Sequence, residues 1–67
     1  MGNDLSILYW LNVEYLKDDE KWFSIKDIAS AVRLSRDRTG KHLRNLTFKR
    51  FVDTRVDGWC NVYRFRR

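Results

Sequence analysis

The sequence predicts a small α+β domain with three helices, a short strand and a C-terminal β-hairpin. Three observations lead to this fold class. Apolar residues recur every three or four positions up to residue 17. Ser24 and Ser35 each precede a further segment of helical period, where serine is a favoured cap. From Phe51 the period changes to two around Asp57-Gly58, a strong two-residue turn signal.

The first predicted helix has more apolar surface than one docking face needs. It ends near Lys17, because the acidic run at residues 18–20 is unfavourable at a helix C-terminus. Its apolar residues extend almost around the cylinder, and a twofold dimer is an economical way to bury the surplus. The predicted homodimer interface consists of Tyr9, Trp10, Val13 and Leu16. In the alternative, Trp22, Phe23 and the C-terminal strand cover this face.

A short strand and a second helix follow the acidic run. Residues 22–23 are too few for a helix and suit a brief strand. Ser24 caps the next helix, with Asp27 in the place of a capping-box acid. The residues predicted to form its buried face are Ile28, Ala31 and Val32.

The third helix, capped by Ser35, has one apolar and one polar side. At about 100° per residue, Thr39, Leu43, Leu46 and the stem of Arg50 lie on the buried side. Asp37, Lys41, Arg44 and Asn45 lie opposite. Gly40 lies between these sides and costs about 1 kcal/mol relative to Ala. Close approach by a partner is one reason for a glycine there, and simple packing is the other.

The C-terminal hairpin is predicted to turn at Asp57-Gly58. That turn pairs Val56 with Trp59, Thr54 with Asn61, and Val52 with Tyr63. One face then carries Val52, Val56, Trp59, Tyr63 and Phe65. The other face carries Asp53, Arg55, Cys60, Val62 and Arg64. Both arms give the same apolar face, so the register is self-consistent.

Charge is divided unevenly along the chain. Residues 1–20 hold one Lys and five acidic residues (net −4), whereas residues 21–67 hold thirteen basic and four acidic residues (net +9). This asymmetry indicates that one surface binds a polyanion while the first helix has another role. A basic protein without such a partner is the alternative.

Length and composition predict a single domain over residues 1–67, in an intracellular, cytoplasmic setting. The sequence shows no signal peptide and no apolar run of membrane-spanning length. The lone Cys60 excludes an internal disulfide, and no Cys/His pair has zinc-ligand spacing. No nucleophile–base pair or phosphate loop is present, so we expect no enzymatic activity, no metal and no cofactor.

Three segments resemble a known superfamily. They are Ile28-Ala29, the stretch from Leu34-Ser35 through Thr39-Gly40-Lys41-His42-Leu43-Arg44-Asn45-Leu46, and the hairpin from Phe51-Val52 to Tyr63-Arg64-Phe65. Together they resemble the winged helix-turn-helix core of the arsenic-repressor and multiple-antibiotic-resistance repressor families. The turn before the third helix departs from these families, with Arg33 where Gly is common. The metal-sensing cysteine clusters and long flanking helices are also missing.

The resemblance implies a transcriptional regulator, acting as a repressor, with the third helix in the major groove of duplex DNA and the hairpin wing on the backbone. The expected DNA contacts on the third helix are Ser35, Arg36, Asp37, Arg38, Gly40, Lys41, Arg44 and Asn45. Those on the wing are Arg55, Trp59 and Arg64. For the residues of the third helix, the alternative is an ordinary solvated helix face, and for Trp59 it is packing in the core. For the protein as a whole, the alternatives are a protein-interaction module and an RNA-binding winged helix.

Overall fold

The computed structural model describes residues 3–67 as three helices and a three-stranded antiparallel sheet. The helices are Asn3–Lys17 (α1), Ile25–Val32 (α2) and Arg36–Phe48 (α3). The strands are Phe23–Ser24 (β1), Val52–Asp57 (β2) and Cys60–Phe65 (β3). The predicted α+β class and order of elements are therefore confirmed.

Serine caps begin the second and third helices, as predicted. The backbones of Ser24 and Ser35 are extended. Each hydroxyl oxygen accepts a hydrogen bond of 3.2 Å from the backbone N–H three residues on, at Asp27 and Arg38. These bonds satisfy donors that a helix N-terminus leaves unpaired, which fixes where α2 and α3 begin.

Arg33 ends α2 in a left-handed conformation, with φ 59° and ψ 45°. Its backbone N–H bonds to the Ala29 carbonyl, and the Leu34 N–H reaches the same oxygen at 3.0 Å. For a residue with a side chain this conformation costs roughly 1–2 kcal/mol. Glycine would avoid that cost at this position.

The core lies between α3, the other two helices and one face of the sheet. α3 contacts α1, α2 and β2, and α1 also contacts β3. The buried side chains of this cluster are Ile7, Leu11, Phe23, Ile28, Leu43, Leu46, Val52 and Tyr63. Thr39 is also fully buried. The predicted inner side of α3 is thus confirmed, apart from Arg50, which is exposed beyond the end of the helix.

The buried face of α2 differs from the prediction at one position. Ile28 and Ala29 are buried and Val32 is half-buried, whereas Ala31 is exposed. At about 100° per residue the face that docks on α1 and α3 is centred between Ile28 and Ala29. Ala31 lies on the solvent side of that centre, so its predicted burial is wrong.

The hairpin register is displaced by two residues from the predicted one. Asp57 pairs with Cys60, Thr54 with Tyr63, and Val52 with Phe65, so the turn is Gly58-Trp59. Gly58 takes φ 65°, which suits glycine. Because side chains alternate with a period of two, this displacement leaves the two faces unchanged. Only Trp59 moves, from the predicted apolar face to the turn, where it is fully exposed.

Asp4 links the first turn of α1 to α3. Its carboxylate is hydrogen-bonded to His42 Nδ1, and its other oxygen accepts a bond of 3.3 Å from the Asn45 side-chain amide. About 120° around α1 from Asp4, Trp10 meets Phe23 edge-on with ring centroids 4.8 Å apart. α1 is therefore held to the rest of the domain by both polar and aromatic contacts.

Replacing Leu43 with Ala is expected to lower the free energy of unfolding by about 2–5 kcal/mol, because its side chain is fully buried. Urea unfolding followed by circular dichroism measures the change. Phe48→Ala is the matched control on the same helix, since that side chain is 85% exposed. A loss below about 1 kcal/mol for Leu43→Ala would contradict the placement of this residue at the centre of the core.

Candidate functional site

An open groove of about 760 Å³ separates the outer side of α3 from the hairpin turn. The start of α2 closes one end through Ser24, Ile25 and Lys26, and the hairpin contributes Trp59, Cys60 and Asn61. A second space of about 420 Å³ shares Ile25, Gly40, Arg44 and Asn61 with it and adds Thr47, Phe48, Thr54 and Tyr63. The two spaces adjoin at these four shared residues, and together we call them the α3–hairpin groove.

Helical period explains which side chains of α3 reach this groove. Burial of Leu43 and Leu46 turns the opposite side of the helix outward. Lys41, Arg44 and Phe48 then follow one another at steps of three and four residues and, with Asn45, border a further pocket of about 370 Å³. The groove wall is therefore a direct consequence of the core packing of α3.

The groove is strongly cationic. Lys26, Arg36, Lys41 and Arg44 line it, together with the single carboxylate of Asp37. The ion pairs formed among residues 3–67 lie elsewhere, at Glu14–Lys17, Asp4–His42 and Asp53–Arg66. Within that part of the chain the four cationic side chains make no ion pair, and Asp37 is not paired with Lys41. Their charge is available to an external anion.

Most of the residues predicted on α3 are brought together here. Those that line the groove are Arg36, Asp37, Gly40, Lys41 and Arg44. Ser35 is used as the helix cap, and Arg38 is exposed in the first turn without lining the groove. Asn45 lies at the border, with its amide bonded to Asp4. From the predicted wing residues, Trp59 lines the groove.

Arg55 and Arg64 lie outside the groove and contact Trp22 instead. The two guanidinium carbons are 4.5 and 4.4 Å from the centroid of the Trp22 ring. Arg64 Nη1 also donates a hydrogen bond of 2.9 Å to the carbonyl of Asp19. Register places both arginines on the sheet face that also carries Asp53 and Val62. There they fix the loop between α1 and β1 to the sheet.

The four residues of the predicted dimer interface do not share one environment. Tyr9 and Leu16 are exposed and Val13 is half-buried. Trp10 is half-buried against Phe23, about 100° around the helix from Tyr9. Leu5, which the sequence reasoning did not assign to this face, is 70% exposed beside Tyr9.

Sequence reasoning also missed several lining residues of the groove. Phe48 is 85% exposed, and its spacing of four from Arg44 was a usable signal. No local pattern marks Ile25, Thr54 or Asn61, because they meet at the groove only when α2, β2 and β3 are placed beside α3.

The described residues hold no group of three or more His, Cys, Asp or Glu side chains arranged to bind a metal ion. Across residues 3–67, no helix has the length and apolar character needed to cross a membrane.

No family model matches the sequence. No curated protein matches it. No solved structure matches the fold.

Gly40→Ala tests why a glycine stands in the wall of the groove. A Cβ at this position would lie 3.8 Å from Ile25 Cδ1, an ordinary contact, so core packing does not require glycine. We expect Gly40→Ala to raise the free energy of unfolding by about 1 kcal/mol through helix propensity. Thermal unfolding by calorimetry measures the change. A destabilised variant would show that packing, rather than access to the groove, accounts for the glycine.

Proposed function

We propose that this chain is a winged helix-turn-helix protein that binds duplex DNA in a sequence-specific manner and represses transcription by occupying its site. In this proposal α2, the Arg33 turn and α3 form the helix-turn-helix, and β2 with β3 forms the wing. The observation that carries the proposal is the α3–hairpin groove, with its four cationic side chains free of ion pairs in the described residues.

The outer side of α3 has suitable chemistry for the major groove. An α-helix with its side chains is about 10–12 Å across, close to the roughly 12 Å width of the major groove of B-DNA. Arg36, Lys41 and Arg44 are donors for guanine O6 and N7 or for phosphate oxygens. Asp37 is an acceptor for a cytosine amino group. Because Gly40 has no side chain, the outer surface of α3 is recessed there between the longer neighbouring side chains.

The hairpin supplies the second wall. With α3 in the major groove, one strand of the duplex passes between the helix and the wing, along the cationic channel. The first turn of α2 borders that channel through Ser24, Ile25 and Lys26, so the partial positive charge of a helix N-terminus adds to it. In this proposal Trp59, which is fully exposed at the turn, contacts the sugar-phosphate backbone.

A protein-interaction module is the second candidate function. It is favoured by exposed apolar side chains close to the cationic groove, at Phe48, Val56 and Trp59. An apolar patch beside polar residues is a common feature of protein-binding surfaces. The two candidates differ in their response to salt, because DNA binding releases counterions and weakens steeply as salt rises.

Replacing Lys41 and Arg44 together with Ala is expected to weaken DNA binding without loss of fold, because both side chains are exposed and unpaired in the described structure. Each phosphate contact removed flattens the log–log salt dependence of affinity by about 0.9. The measurement is fluorescence anisotropy with duplexes selected from a random pool, repeated at several salt concentrations.

The matched control replaces Lys17 and Lys21, two exposed lysines outside the groove, with Ala. It removes the same charge and is expected to change affinity much less. Equal affinity of the folded Lys41/Arg44 variant and the wild type would refute the assignment of α3 as the DNA-contacting helix. Saturable binding of a protein partner at an affinity indifferent to salt would favour the second candidate.

A further inference from the structure

We propose that the α3–hairpin groove also binds single-stranded DNA, with unpaired bases stacked on Phe48 and Trp59 and phosphates bound by the cationic side chains of the groove. The groove combines the two chemical groups that recognise such a ligand, which are cations and exposed aromatic rings. The proposal rests on the cationic groove of the proposed function and extends its ligands from duplex DNA to a strand with unpaired bases.

Phe48 and Trp59 expose their rings at two places along the groove. Phe48 is the last residue of α3 and is 85% exposed, whereas Trp59 lies in the hairpin turn and is fully exposed. The aromatic and cation–π contacts formed among the described residues involve other rings, those of Trp10, Tyr15, Trp22, Phe23 and Phe65. The rings of Phe48 and Trp59 are therefore available to a ligand.

Cationic side chains lie close to each ring. Arg44 lines both spaces of the groove and the pocket beyond it, and it shares two of these three with Phe48. Lys41 borders the pocket at Phe48 and also lines the larger space that contains Trp59. Arg36 begins α3 twelve residues before Phe48, about 18 Å away along the helix axis. That length suits a site near the lower end of the roughly 4–16 nucleotides covered by single-strand-binding folds.

The exposed rings favour an unpaired strand over a duplex as their ligand. Within a duplex each base is covered above and below by its neighbours and presents only its edges in the grooves. In a single strand the faces of the bases are accessible, and stacking on an aromatic side chain stabilises the complex with little dependence on sequence. Phosphate binding alone would use the cations of the groove and leave Phe48 and Trp59 without a base to contact.

The charge of the groove argues against a second copy of this chain as the occupant. Two copies meeting here would bring like charges together, from Lys26, Arg36, Lys41 and Arg44. A DNA strand instead supplies regularly spaced phosphates, and release of its counterions adds to the affinity. Its bases are the flat groups that the two rings can stack on. A single strand therefore matches both the charge and the aromatic surface of the groove.

Binding of the wild-type protein to two strands of about 12 nucleotides tests the stacking. One strand is oligo(dT), and the other has the same length and charge but abasic sites in place of the bases. Fluorescence anisotropy at equal salt measures both affinities. We expect oligo(dT) to bind about 100-fold more tightly, roughly tenfold for each of two stacked bases. Equal affinities would overturn the proposal, because they would show that phosphates alone are bound.

The double variant Phe48→Leu/Trp59→Leu removes both rings and keeps apolar side chains at exposed positions. We expect it to raise the dissociation constant for oligo(dT) by about 10-fold, and to leave the salt dependence of affinity unchanged, because stacking releases no counterions. Tyr9→Leu removes an exposed ring of α1 outside the groove and is the matched control. Wild-type affinity of the folded double variant for oligo(dT) would contradict the proposal.

A duplex selected from a random pool, measured in the same assay, separates this proposal from the proposed function. Binding of the duplex without binding of oligo(dT) would overturn the single-strand proposal and leave the duplex function intact. Binding of oligo(dT) that depends on both rings, without binding of any duplex, would support the single-strand proposal and refute the duplex function. Failure to bind either ligand would refute both.

Discussion

Burial of one side of α3 is the constraint on which the rest of the structure depends. Leu43 and Leu46 meet α1, α2 and β2 at the centre of the domain, and each such side chain contributes roughly 1.5–3 kcal/mol when removed from water. Rotating the helix by one residue, about 100°, would expose these leucines and bury charged neighbours. The same packing that stabilises the fold therefore selects Lys41, Arg44 and Phe48 for the groove. The core and the candidate site are two sides of one helix.

Local sequence signals predict many features of the fold and of the groove. The features that depend on contacts between distant residues could not be predicted. Ser24 and Ser35 identify helix starts because a cap acts over three residues, and the faces of α3 follow from period alone. The predicted turn, Asp57-Gly58, is wrong because Gly58 also suits a Gly58-Trp59 turn. The two turns differ by two residues in strand register, which keeps every strand side chain on the same face. The alternation of apolar and polar residues therefore does not distinguish them. The groove residues of α3 were predictable, but Thr54 and Asn61 were not. The contact of Arg64 with Trp22 and Asp19 joins residues more than forty positions apart, which no local pattern reveals.

Net charge is a coarse guide to the surface of this protein. Residues 21–67 hold thirteen basic side chains, yet only Lys26, Arg36, Lys41 and Arg44 line the first and larger space of the groove. Arg55 and Arg64 stack on Trp22 and reinforce the sheet. Planar guanidinium groups suit such stacking, so arginine content serves stability as well as recognition. The acidic run at residues 18–20 follows the end of α1 and does not line the groove.

The hairpin turn has a consequence for how this protein diversifies. Residues 56–60 are all exposed, so they contribute little to the core. On the facing wall, α3, the residues fixed by packing are Thr39, Leu43 and Leu46, which lie on the side away from the groove and hold the helix in place. Mutation can therefore alter the sequence and length of the turn with little loss of stability. Folding therefore fixes the position of the α3 wall, while the turn can change in sequence and length and so alter the shape of the groove.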